Sequence, residues 1–341
     1  TALVTPTGAS GTSVTIDVAS AIAIDAAGND NTAATQATSA YDAVAPTVAI
    51  QNVPANTNAA FTATFEFSEN VTGFVAGDIT LSNASVSNFA AIDGNTYTAL
   101  ITPTGASGTS VTIDVANAVA IDVASKDNTA ATQATSAYDV VAPTVSIQNV
   151  PANTNAAFTA TFEFSENVTG FAVGDITVGN ASASNFTAVD GNTYTALITP
   201  TGASGTTVTV DVANAVAIDI ASNDNSAASQ VTSVYDVVAP TVAIQNVPAN
   251  TNAAFTATFE FSENVTGFVA GDITLANASV SNFTAVDGNT YTALITPTGA
   301  SGTTVTLDVA NAVATDIASK DNTAAAQVTS AYDVVAPTVA I

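Results

Sequence analysis

The chain is predicted to be an all-β array of small sandwiches repeated in tandem. Three observations carry that prediction. Pro46, Pro143, Pro240 and Pro337 recur every 97 residues, each inside a copy of YDAVAPTVAI, YDVVAPTVSI or YDVVAPTVAI. Each copy holds several short runs in which apolar and polar residues alternate strictly, the period of a strand buried on one face. Turn-forming stretches such as Asp93-Gly94-Asn95 separate these runs, and no stretch carries a persuasive helical period.

The interval sets the domain plan. Residues 46–142, 143–239 and 240–336 are three complete repeats. Residues 1–45 are the C-terminal half of another, because TALVTPTGASGT at Thr1 aligns with TALITPTGASGT at Thr98. Residues 337–341 start a further repeat. A unit near one hundred residues is the size of a small domain and too long for a solenoid coil. Ends that fall in mid-repeat predict a longer array, so no leader or anchor is expected within this stretch.

Repeat 46–142 shows the elements in order. Thr47–Gln51 is a short β-branched run. AFTATFEF, Ala60–Phe67, puts Phe61, Ala63, Phe65 and Phe67 on one face and Thr62, Thr64 and Glu66 on the other. Asp78–Ser82 and Ser85–Ile92 are two further strands. Thr96–Thr102 follows the Asp93-Gly94-Asn95 turn, with Tyr97, Ala99 and Ile101 in register. After PTGASG, Thr109–Ala116 turns Val111, Ile113 and Val115 inward. A loop from Asn117 to Thr129 leads to a last strand over Ala130–Asp139. About seven short strands per repeat with frequent turns predict an immunoglobulin-like β-sandwich. The chain has no Cys and no Trp, so Phe, Val, Ile and Tyr packing must hold the core.

Composition bounds the function. Twenty-eight acidic residues face two basic ones, Lys126 and Lys320, for a net charge of −26. Such a surface repels nucleic acid and anionic membranes, since counterion release needs basic side chains. With 47% hydrophobic residues the chain can still build cores. No apolar run approaches the ~18–20 residues that span a bilayer. The absence of Cys removes disulfides, thiolate zinc sites and thiol catalysis, and the absence of His removes the commonest general base. No Cys and no Met leaves nothing easily oxidised, which fits an extracellular setting.

The strings APTVxIxxVP, AFTATFEFSENVTGF, GDIT, DGNTYTALITPTG, VTIDVA and YDxVAP span every repeat. Together they resemble the bacterial Ig-like repeats of giant surface adhesins, including biofilm-associated and type I-secreted adhesins. The resemblance implies tandem extracellular extender domains, often stiffened by calcium. The family's Asp-x-Ala-Gly-Asn loop stands here as Asp25-Ala26-Ala27-Gly28-Asn29. It departs from that form as Asp122-Val123-Ala124-Ser125-Lys126 and Asp219-Ile220-Ala221-Ser222-Asn223.

Strand direction then predicts where the carboxylates gather. In seven antiparallel strands the loops after the second, fourth and sixth return to the pole where the repeat begins. Those loops carry Glu69, Asp93, Asp122 and Asp127, and the opposite loops NVPANTNA, SNAS and PTGASG carry no charge. The linker Asp leads straight onto that acidic pole. The first junction is expected to assemble Asp42, Glu69, Asp122, Asp127 and Asn128. The second is expected to assemble Asp139, Glu166, Asp219, Asp224 and Asn225, and the third Asp236, Glu263, Asp316, Asp321 and Asn322. Unit charges ~4 Å apart at an effective dielectric of ~20 repel by about 4 kcal/mol. With two lysines in the chain, a cation must relieve such clusters, and an all-oxygen, flexible ligand set selects Ca2+. Surface carboxylates also serve solubility, and Asp and Asn suit turns, so solvation alone is the competing reading. Proline fixes φ and pushes the preceding Ala into an extended form, so the linker has little slack. The apolar Val140-Val141-Ala142 segment is expected to pack between domains.

The expected function is a structural extender of an extracellular bacterial adhesin or matrix protein, a rod whose junctions calcium stiffens. The alternative is a laterally assembling subunit of a fibre, sheath or surface layer, with other copies of itself as partners. A carbohydrate-binding module would need exposed aromatics, whereas the seven Tyr and fifteen Phe sit at fixed strand positions. Repeated carboxylate pairs without His or Trp do not make an enzyme.

Overall fold

Alternating sequence becomes strand wherever one face can be covered. The computed structural model describes residues 1–339, so Ala340 and Ile341 of the expected further repeat lie outside the described residues. In the leading half-repeat, β1 (Thr12–Ile16) pairs antiparallel with β2 (Ala37–Tyr41) as a two-stranded sheet, and their side chains stay largely exposed.

The first complete repeat contains β3 (Val48–Gln51), β4 (Asn56–Thr57), β5 (Phe61–Phe67), β6 (Ile79–Ser82), β7 (Ala84–Ala91), β8 (Thr96–Pro103), β9 (Thr109–Val115) and β10 (Ala134–Tyr138). One sheet has the order β3-β5-β8-β7 and the other β4-β10-β9-β6. All pairings are antiparallel except β4 with β10, which run parallel. This arrangement makes each complete repeat an immunoglobulin-like sandwich. The other two repeats reproduce both orders, with Phe158–Phe164 and Phe255–Phe261 as counterparts of β5.

The inward residues are those the alternation selects. Ala63, Phe65, Phe67, Ala99, Ile101, Val111, Ile113 and Val115 are all buried in one cluster. Toward the pole where the repeat begins, Phe74 packs edge-on against Phe67 and Tyr97, at 5.2 Å to each. The Tyr97 hydroxyl donates to the Val71 carbonyl at 3.1 Å, so the polar end of the ring ties down the loop after β5.

Three sequence expectations change. NVPANTNA was expected as a plain loop, but Asn56–Thr57 forms β4 because its backbone can pair with Ala137 and Tyr138 along the edge of β10. The last strand is Ala134–Tyr138 rather than Ala130–Asp139, because residues 130–133 belong to the preceding loop. The linker valines do not pack away: Val44 and Val238 are each 58% exposed. The proline is what docks, since Pro46 and Pro240 are buried. The described residues divide into two compact units, 1–142 with 218–223, and 143–217 with 224–339.

Candidate metal centre

The loop after β5 carries Glu69, and the loop after β9 carries Asp122. Thr72 and Ile121 join these two loops by exchanging both backbone hydrogen bonds, at 2.8 and 3.0 Å. The same staple links Thr266 and Thr315 in the last repeat, again at 2.8 and 3.0 Å. Glu69 and Asp122 thus stand beside a fixed crosslink. The linker arrives at the same pole because the Thr129 amide donates to the Pro46 carbonyl at 2.8 Å.

The linker aspartate is oriented from its other side. In the PTGASG turn of the leading half-repeat, the Ser10 hydroxyl donates to Asp42 Oδ1 at 2.6 Å, and the Val44 amide donates to the same oxygen at 3.0 Å. Asp42, Glu69 and Asp122 consequently converge, each offering an oxygen within 4.8 Å of the others. Asp236, Glu263 and Asp316 converge in the same way in the second unit.

Asp122 and Asp316 are each only 4% exposed. Asp122 Oδ1 accepts the Ala124 amide at 2.7 Å and the Lys126 amide at 2.8 Å, which closes the loop on itself. Its Oδ2 is buried and has no hydrogen-bond partner, and Asp316 Oδ2 is in the same condition. A buried polar atom without a partner costs about 1–3 kcal/mol, more when it is charged. Burial lifts the Glu69 carboxyl above its ordinary value, and the negative charges of Asp42 and Asp122 lift it further. Burial likewise raises Glu263, helped by Asp236 and Asp316. Asp42 moves the other way, held down first by the Ser10 hydrogen bond, then by the Val44 amide, with a contribution from Lys126.

The other residues expected at the first and third junctions lie outside these two trios. Asn128 is 2% exposed and fully engaged inside its loop. Its Oδ1 accepts the Val119 and Ala120 amides, and its Nδ2 donates to the Ala116 and Thr129 carbonyls. Asn225 and Asn322 repeat all four bonds, so these three side chains shape the loop. Asp127 and Asp321 form isolated bridges with Ile121 and Thr315 and lie outside the two trios; Asp224 follows directly on Asn223. Asp93 is a turn residue that accepts the Asn95 and Thr96 amides. Around the second linker, Asp139 is held by Ser107 at 2.6 Å, and Asp219 closes its own loop through the Ala221 and Asn223 amides. Glu166 lies in the loop after Phe158–Phe164. Sequence reasoning passed over the orienting serines, Ser10, Ser107, Ser204 and Ser301. Their signal was the invariant place of Ser in PTGASG across four copies.

Oxygen donors alone, three carboxylates and one unpaired buried oxygen fit a hard divalent cation, with water completing the shell. The geometry therefore defines tandem immunoglobulin-like sandwiches with an acidic trio at the entry pole. The chain belongs to the bacterial Ig-like domain family, whose model matches residues 42–138, 139–235 and 236–332. No curated protein matches it. Among solved structures, the Escherichia coli adhesin FdeC is 16% identical, over 77% of this chain and 90% of that one, with a TM-score of 0.41. Invasin, a bacterial integrin-binding protein, is 15% identical over 78% of this chain and 56% of its own, with a TM-score of 0.30. The I9–I11 tandem of titin gives 9%, 85%, 98% and 0.28 respectively. Among the described residues, no helix is long and apolar enough to cross a membrane.

Proposed function

We propose that this chain is a structural spacer from an extracellular bacterial adhesin or matrix protein, in which calcium at the repeat junctions stiffens the chain. It is a scaffold and not a catalyst. The observation that carries this reading is the buried, unpartnered Oδ2 of Asp122 and of Asp316, each in a carboxylate trio. A bound Ca2+ would give that oxygen a partner and neutralise the repulsion among the trio. Asp42 and Asp236 belong to linkers, so an ion shared with Glu69 and Asp122, or with Glu263 and Asp316, would tie linker to sandwich. The protein's part is to hold those oxygens in place through the serine clamp and the backbone staple.

Calorimetric titration of the full chain with calcium tests this. Extracellular modules bind at ~0.1–1 mM, and one site at ten times its dissociation constant adds about 1.4 kcal/mol of stability. Chelator should lower the melting temperature and calcium restore it, while small-angle scattering shows a longer, narrower distance distribution with calcium. Absence of calcium binding up to several times that concentration range would refute the reading.

A further inference from the structure

The residue four places beyond the loop aspartate, which is Asp25, Asp122, Asp219 or Asp316, alternates along the chain: Asn29, Lys126, Asn223, Lys320. The structure attaches a consequence to each kind. In the Asn loops the amide supplies what the aspartate lacks. Asn223 Nδ2 donates to Asp219 Oδ2 at 2.8 Å, and Asn29 Nδ2 donates to Asp25 Oδ2 at 3.0 Å. In the Lys loops that oxygen, on Asp122 and on Asp316, has no partner. Asn223 does more. Its Nδ2 also donates to the backbone carbonyl of the linker residue Asp139 at 3.0 Å, and its Oδ1 accepts Asn58 Nδ2 at 3.2 Å. Asn58 Nδ2 also reaches the Ser222 carbonyl at 2.9 Å. One neutral side chain thus joins the buried Asp219, the linker and the loop between β4 and β5 of the first complete repeat.

Resting on the calcium reading above, we infer that this position divides the loops into two classes: lysine marks a cation-closed loop and asparagine an amide-closed one. The lysine ammonium does not take the amide's place. Lys126 is exposed, and no hydrogen bond joins it or Lys320 to the Oδ2 concerned. A divalent cation entering an amide-closed loop must displace a formed hydrogen bond. In a lysine loop it meets an oxygen that has none. The chain therefore carries cation-responsive loops at alternate repeats, set by one residue in each.

The test uses the full chain and calcium alone. Lys320→Asn is the informative variant, because Asn155 Nδ2 already donates to the Ser319 carbonyl at 3.1 Å, matching the Asn58 contact at the asparagine loop. Lys320→Met removes the charge without supplying an amide. Calorimetric titration of Lys320→Asn should show one tight calcium equivalent weakened about tenfold, roughly 1.4 kcal/mol. Lys320→Met should keep wild-type stoichiometry and affinity within a few-fold. Asn223→Lys should make thermal unfolding more sensitive to chelator than wild type. If Lys320→Asn and Lys320→Met tighten calcium equally, the lysine acts by charge alone and the two-class inference fails while the calcium reading stands. If the wild type binds no calcium, both fail together.

Discussion

The hydroxyl of Ser204 donates to Asp236 Oδ1 at 2.6 Å and accepts the Val237 amide at 3.0 Å. A turn at the far end of one sandwich therefore sets the direction of the carboxylate that meets Glu263 and Asp316. The same pair appears as Ser10 with Asp42, Ser107 with Asp139 and Ser301 with Asp333.

Ser204→Ala should leave the sandwich folded, with a stability loss on the order of 1 kcal/mol from the missing bonds. It should weaken calcium more than it weakens the fold, because a freed linker carboxylate must be ordered again on binding. Titration and melting, run side by side, check this. Unchanged calcium affinity would show that the clamp is irrelevant to the site.

The raised carboxyls give a pH signature in chelator. A carboxyl whose folded pKa lies above its unfolded value binds its proton more readily when folded. Glu69 and Glu263 thus add stability that is fully present below the ordinary glutamate value and is lost as pH rises through their raised values. Asp42 opposes them, adding stability above the ordinary aspartate value that is lost as pH falls through its lowered one. The double variant Glu69→Gln, Glu263→Gln should melt higher than wild type at neutral pH without calcium, and its stability should gain less on mild acidification. Melting curves from about pH 4 to 7 in chelator decide the matter. A lower melting point for the variant at neutral pH would mean that the trios are not strained by repulsion.

Phe162 is fully buried, with its ring 5.7 Å from that of Phe171. Phe162→Ala should cost about 3–5 kcal/mol through the cavity it leaves. Denaturant unfolding measures this, and a loss under about 1 kcal/mol would contradict close packing at that layer.

Ser125 stands where the leading half-repeat has Gly28, and both are left-handed, with φ of 63° and 82°. The loop keeps its form without glycine and carries local strain instead. A left-handed residue with a Cβ costs roughly 1–2 kcal/mol, and glycine returns about 0.5–1 kcal/mol of that as unfolded-chain entropy. Ser125→Gly should therefore stabilise the repeat by up to about 1 kcal/mol. Slower amide exchange at Lys126 would accompany the gain, and a net loss of stability would show that the serine side chain has a role of its own.

The sequence by itself determined the period, the sandwich and the inward faces. Strand alternation is a local rule with one outcome: Phe65, Ala99 and Val111 have no other face to bury. It also determined that acid concentrates at the pole each linker enters, because strand direction follows from counting antiparallel strands. Tertiary structure decided which acids meet. Asp122 and Asn128 lie six residues apart in one loop and look alike as oxygen donors. The fold spends every polar atom of Asn128 on backbone groups and leaves one oxygen of Asp122 with nothing. Whether Asn223 reaches Asp219, the Asp139 carbonyl and Asn58 at once depends on loops far apart in sequence arriving at one point. Spacing along the chain carries no record of such convergence, because it is set by the packing of the sandwiches that hold the loops.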